Sequence, residues 1–213
     1  GQFSGYQGWQ VFPLRIFYWG ELYEQLCKKI ELINSSVLIK SRLEEFAGAY
    51  VSRERTESIL NSFELKVDTD FARSAKEASW AGYNNGAVSV INLKYTMAEI
   101  EDIMSHESVH HISHNTTTNF DPYTGEHVSI AGVSRSVYRN DQWIKENEGI
   151  NESLTEFFHI LSHGEGYKKT FTSGYQAGVD VLEIYVEKGL INIEDLKRLY
   201  FTNDTQGIIK YFD

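Results

Sequence analysis

His106-Glu107-Ser108-Val109-His110 places two imidazoles four residues apart with a carboxylate between them. On a helix, residues four apart stand one turn above each other, so both rings can meet one cation. Glu107 lies about 100° further round, where it can take a proton from a water on that cation. Cys27 is the single cysteine, so a metal here has to be held by His and carboxylate rather than by a cysteine cluster. Downstream stands Asn151-Glu152-Ser153-Leu154-Thr155-Glu156. At helical spacing Glu152, Glu156, His159 and His163 share one stripe, opposite an apolar stripe of Ile150, Leu154, Phe157, Phe158 and Leu161. Two glutamates four apart repel by roughly 0.2–0.5 kcal/mol in an isolated helix. Something cationic should lie against them, and a zinc ion with its His shell would supply that charge.

Each group also has a plainer reading. His106 and His110 can belong to a metal-free helix, Glu107 can be a solvated charge, and Glu152 with Glu156 can be an exposed acidic face. His111 and His114 extend the His-rich helix, but the metzincin layout needs its third His six positions after His110, where Thr116 stands. His159 and His163 are expected to be local partners or solvent-facing groups rather than ligands, and Cys27 a packing residue on an apolar helix face.

HESVH followed by NESLTE resembles the gluzincin clan of zinc metallopeptidases, the thermolysin-like group, over about Trp80 to Ser162. In that clan an HExxH helix gives two His ligands and a later helix gives a Glu from an NExx(S/T)(D/E) pattern. The resemblance implies one zinc per chain on His106, His110 and Glu152, with water completing the shell. It implies Glu107 as general base and Glu156 as the carboxylate that orients a ligand His. The implied activity is metalloendopeptidase hydrolysis of a peptide or protein substrate. The strand Val88 to Leu93 resembles the edge strand along which zincins bind extended substrate. The gap of 42 positions from His110 to Glu152 is longer than in thermolysin and the chain is smaller, which implies a compact, distant relative. No motif fixes the clan's transition-state donor, so Tyr123, His127, Tyr138, Tyr167 and Tyr175 all remain candidates. The alternative is a non-catalytic zincin-like binding or regulatory module, which a missing donor or an occluded cleft would favour.

The elements that must position these groups are read from periodicity. Thr96 with Glu99 is a capping box that opens a helix through Ser113. Phe63, Leu65 and Val67 alternate as a strand, Trp80 to Gly86 reads as a hairpin-like turn, and Val88 to Leu93 is a second, β-branched strand. Helices are expected at Trp19 to Asn34, stopping at Asn34-Ser35-Ser36, then at Val37 to Phe46 and Glu54 to Ser62. After Leu93 the chain is expected to be helical to its end, at 145–162, 174–188 and 193–200. The exception is a polar stretch from Asn115 to Asp141, read as a functional loop or flap. The expected fold class is α+β and zincin-like: a small N-terminal β-sheet packed on the HExxH helix, with a mainly helical C-terminal half. One domain over 1–213 comprises a helical lead (1–62), sheet and active-site helix (63–114), loop and glutamate helix (115–163) and C-terminal helices (164–213).

A chain of 213 residues with 41% hydrophobic residues and only 2 Pro can bury one sizeable core and is not disordered. The net charge of −10, without a basic patch, argues against a nucleic-acid partner, and no apolar run is long enough to span a membrane. The start at Gly1-Gln2 suggests a trimmed product. Asn34, Asn115, Asn151 and Asn203 head N-x-S/T sequons, yet a glycan on Asn151 would obstruct the site, so a glycosylating route is disfavoured. A bacterial secreted or effector protein is preferred over a cytoplasmic one.

Overall fold

Helix α1 (Phe12–Ala47) runs without a break in the computed structural model, which describes residues 12–66, 80–121, 126–139 and 141–212. The expected stop at Asn34-Ser35-Ser36 is absent. Ser36 Oγ donates back to the Ile33 carbonyl at 2.7 Å and Ser35 Oγ donates to Glu101 at 2.6 Å, so side chains that favour a turn in a free chain are satisfied within the helix. Leu32, Ile39, Leu43 and Ala47 bury one face, whereas Tyr23, Leu26, Ile30 and Ile33 stay exposed. Cys27, expected as a packing residue, is half-buried on that outer part of α1.

Helix α2 (Arg53–Glu57) and a 3-10 turn at Ser58–Asn61 lead into strand β1 (Phe63–Lys66). Val67, expected as its end, lies outside the described residues. Strands β2 (Gly82–Asn84) and β3 (Ser89–Asn92) complete a three-stranded sheet in the order β1-β3-β2, parallel between β1 and β3 and antiparallel between β2 and β3. This corrects the expected edge: β3 is paired on both sides and wholly buried, so its apolar, β-branched sequence marks a central strand. Among the described residues β1 and β2 lie at the two edges of this sheet.

Helix α3 (Met97–Ser113) begins at its capping box, with the Glu99 N–H donating to Thr96 Oγ1 and the Thr96 N–H donating to Glu99 Oε2 at 2.9 Å. Its end runs directly into a second sheet, the antiparallel meander β4 (His114–Asp121), β5 (Glu126–Ala131), β6 (Ser134–Arg139) and β7 (Gln142–Glu146). Over its described residues the stretch expected as a loop or flap is therefore regular sheet, and the C-terminal half is not helical from its start. Lys145, expected on a helix, sits in β7. Between β5 and β6 the chain turns at Gly132, whose φ is +56°. A Cβ there would lie 2.3 Å from Asn151 Oδ1 and 2.4 Å from the Tyr200 ring, so only glycine lets the turn press against the next helix.

That helix is α4 (Glu148–Ser162), followed by α5 (Gln176–Glu187), α6 (Ile193–Phe201) and a short α7 (Thr205–Ile209). The class is α+β. Met104 and Ile112 of α3, Leu154 and Phe158 of α4, Ile39 and Leu43 of α1 and Tyr200 of α6 are fully buried together. The Phe158 ring lies 5.1 Å from Tyr200 and 5.5 Å from Phe201. Burying each such side chain contributes about 1.5–3 kcal/mol, and the cluster clamps α3 against α4. No helix among the described residues is long and apolar enough to cross a membrane.

Candidate metal centre

Clamping α3 on α4 brings HESVH against NESLTE, and the polar residues of the second motif each take a distinct partner. His106 Nδ1–H donates to Glu156 Oε2 at 2.7 Å, and His110 Nδ1–H faces Thr155 Oγ1 at 3.3 Å. The Thr155 hydroxyl is itself fixed by the Asn151 carbonyl at 2.8 Å and by the buried Tyr200 hydroxyl at 2.6 Å. Asn151 Oδ1 accepts the Val133 and Ser134 N–H groups at 2.9 and 3.3 Å, tying the β5–β6 turn to the start of the motif. With both Nδ1 atoms held, both Nε2 atoms point to one place, where Glu152 Oε2 lies 3.4 Å from His106 and 3.1 Å from His110.

His106, His110 and Glu152 form a group that could hold a metal ion, with one donor atom from each inside a span of 4.8 Å. The two separations from Glu152 Oε2, 3.4 and 3.1 Å, are close to the spacing of about 3.3 Å that ligand bonds of about 2.0–2.1 Å set between neighbouring donors of a tetrahedral site, while the three donors together span up to 4.8 Å. The charge environment agrees. Burial alone would lower the His106 pKa, but the Glu152 and Glu156 carboxylates overcome it and push it up to about 10. Burial alone would raise Glu152, yet His110 and His106 hold it well below the usual carboxylate range. The pocket attracts positive charge.

Glu107 is buried, its Oε2 has no partner among the described residues, and burial pushes its pKa up against the opposing pull of His110 and His106. Edge strand β2 crosses directly over it. A Cβ on Gly82 would come within 2.9 Å of Ile103 Cγ2 and 3.0 Å of Glu107 Oε1, so a larger residue would push these side chains aside. A cavity of about 480 Å³ opens here, lined by Trp80, Gly82, His106, Glu107, Phe171 and Tyr175 among others.

Compared with known proteins, the chain matches no family model, no curated protein and no solved structure. The site therefore has to be read from its own geometry. Of the five donor candidates, Tyr175 lines the cavity with its ring stacked 6.2 Å from His106, and burial together with Glu152 and Glu148 pushes its pKa up to about 12. Tyr167 is instead bonded to Asp102, His127 and Tyr138 lie out on the second sheet, and Tyr123 is outside the described residues. His111 bonds Ser58 at 2.7 Å and does not join the group. His159 is buried and its pKa is lowered to about 3 by that burial, while His163 stacks on Tyr167 at 3.9 Å. Both are local partners, and His159 does not face solvent.

The motifs did not reveal the loop after α4. Lys169 Nζ donates to Glu156 Oε1 at 2.5 Å and Ser173 Oγ to the same oxygen at 2.9 Å, so the carboxylate that orients His106 is itself held from outside. Asp102, one turn before His106 on α3, accepts the Thr170 N–H, the Thr170 hydroxyl and the Phe171 N–H at 2.5, 2.7 and 2.8 Å, and also the Tyr167 hydroxyl. One helix thus supplies two candidate ligands and anchors the loop that closes the cavity. The only sequence signal for this was an acidic residue one turn before the HExxH motif.

Proposed function

We propose that the chain is a zinc-dependent metallopeptidase of the gluzincin kind, hydrolysing peptide bonds in a peptide or protein substrate. The observation that carries this reading is the convergence of His106 Nε2, His110 Nε2 and Glu152 Oε2 beside the unpartnered, buried Glu107 carboxylate. Two imidazoles, one carboxylate and no thiolate suit zinc with an open position. A zinc ion held there supplies a Lewis acid for the scissile carbonyl and acidifies a water. Glu107 accepts a proton from the attacking water and returns it to the leaving amine, and burial moves its pKa toward the operating pH. Tyr175 stays protonated and offers a hydrogen bond to an oxygen in the cleft. Among the described residues β2 is an edge strand of its sheet, and an extended chain running alongside it would pass over Glu107. A cavity of about 480 Å³ is of the size that ligand sites have, and it adjoins the triad, which favours catalysis over a zincin-like module that only binds.

The test is elemental analysis of untagged protein together with a peptide-library digest. One zinc per chain and cleavage by the wild type are expected, with Glu107→Gln keeping its zinc and losing hydrolysis. Comparable activity in Glu107→Gln would remove Glu107 as the base. Little bound metal after zinc is offered at neutral pH would leave the non-catalytic module as the better reading.

A further inference from the structure

A second cavity of about 400 Å³ adjoins the first and shares His110, Lys145, Glu148 and Glu152 with it, so the two lie on either side of the proposed ligand set. Their linings differ. The first carries Trp80, Ile103, Phe171 and Tyr175, whereas the second is floored by the meander, where Ser129 pairs with Ser136, Ala131 with Ser134, and Ser136 with Lys145. Residues 134 and 136 point to one face of β6, which is the face lining the cavity. Their hydroxyls make no hydrogen bond among the described residues, although each is half-buried. Opposite them Asn84 and Asn85 come from the end of β2, the strand that crosses Glu107. Of the charged groups lining it, Lys145 Nζ donates to Glu148 at 2.6 Å and Glu152 faces the His106 and His110 rings, so no unpaired cation stands in the cavity among the described residues.

We infer that this second cavity is a substrate subsite for a neutral hydrogen-bonding side chain, of the Gln, Asn, Ser or Thr class, on one side of the scissile bond; this rests on the peptidase reading above. The small floor residues leave room for a side chain to descend, and the Ser134 and Ser136 hydroxyls each can donate and accept. A hydrocarbon side chain would exclude water from both hydroxyls without replacing it, which is unfavourable. A carboxylate would enter beside Glu148 and Glu152. In the opposite cavity the Ser173 hydroxyl already donates to Glu156 beside Trp80, Phe171 and Tyr175, so the uncommitted hydroxyls are those on the meander side.

Two measurements decide it. In the library digest, residues of the Gln, Asn, Ser and Thr class should be favoured about tenfold over Leu and Phe at one position on one side of the cut. The double variant Ser134→Ala, Ser136→Ala should erase that preference at unchanged zinc content. Cleavage with no such preference, or an unchanged profile in the double variant, would overturn the subsite. The second measurement does not need hydrolysis. N-acetyl-glutaminamide titrated into zinc-loaded wild-type protein should shift the Ser129, Ser134 and Ser136 amide resonances saturably, while N-acetyl-leucinamide should not. Equal response to both probes, or to neither, would overturn the subsite, whereas failure to cleave any peptide would strike only the peptidase reading.

Discussion

Asp102→Ala removes the acceptor that holds the loop over the cleft. The carboxylate takes four hydrogen bonds, from Tyr167, from Thr170 twice and from Phe171, and three of these fall on Oδ2. At about 1 kcal/mol net each, the gross loss is about 4 kcal/mol, and water reaching the more exposed donors returns part of it. A net loss of about 2–3 kcal/mol for loop closure corresponds to a rise of roughly 30- to 150-fold in the open population. Lys168 and Lys169 lie in this loop, so trypsin under native conditions reads that population directly, with cleavage at Arg53 and Arg55 as an internal control. Asp102→Asn keeps one acceptor oxygen toward Thr170 and Phe171 and should raise cleavage by less than about tenfold. Hydrolysis should fall in the order wild type, Asn, Ala, because Ser173 and Tyr175 ride on the same loop, while zinc content is retained. Equal trypsin sensitivity at Lys168 and Lys169 in all three proteins would refute the anchoring argument. The pH dependence has a definite sign. Burial would raise the Asp102 pKa, but the bonds from Tyr167, Thr170 and Phe171 outweigh it and hold it below 3.8. The folded value is the lower one, so the stabilisation is fully present above about pH 4 and is lost as pH falls through the folded pKa. Pepsin susceptibility of the loop should rise only in that acid range.

Gly82→Ala should reduce hydrolysis at least tenfold with zinc per chain unchanged, because its Cβ would press on Ile103 and Glu107; wild-type turnover would show that β2 does not constrain the base. Tyr175→Phe should lower kcat about 100-fold with KM changed less than about threefold, and an effect confined to KM would assign the phenol to binding instead. Thr155→Val leaves the buried Tyr200 hydroxyl and the His110 Nδ1–H short of a partner, so urea unfolding should show a loss of about 1–3 kcal/mol and competition with a chelator a weaker zinc site.

The two motif helices could be read in the sequence because their signals are local. The Thr96–Glu99 box sets the start of α3, and the apolar stripe of Leu154, Phe157 and Phe158 fixes which side of α4 turns inward. The second sheet could not be read this way. Its strands carry Asn, Thr, Ser, Arg and His, and among the residues whose burial is described only Val128 and Val137 are buried apolar strand positions, too few to produce an alternation. Its place depends on tertiary contacts, chiefly the Gly132 turn lodged against Asn151 and Tyr200. The continuation of α1 through Ser35 and Ser36 has the same origin, since Glu101 on α3 accepts the Ser35 hydroxyl. Lys169, Ser173 and Tyr175 carry no motif because what they share is contact with Glu156 and His106 across the fold.

The charge balance of the cleft bears on whether the histidine pair is structural. Lys169 pairs with Glu156 and Lys145 with Glu148, while Glu107 and Glu152 have no Lys or Arg partner among the described residues. Glu152 is met instead by imidazole nitrogens, His106 Nε2 at 3.4 Å and His110 Nε2 at 3.1 Å, and Glu107 Oε2 has no hydrogen-bond partner among the described residues. A structural histidine pair also has no need of separate supports on each Nδ1. Here Glu156 holds one ring and Thr155 the other, and Lys169, Ser173, Asn151 and Tyr200 hold those two in turn. The result of that expenditure is that two Nε2 atoms and one carboxylate oxygen face a common point beside an unpartnered Glu107. A divalent cation at that point would meet both Nε2 atoms and the Glu152 carboxylate at once, and this is the support that the metal-centred reading draws from these buried polar groups.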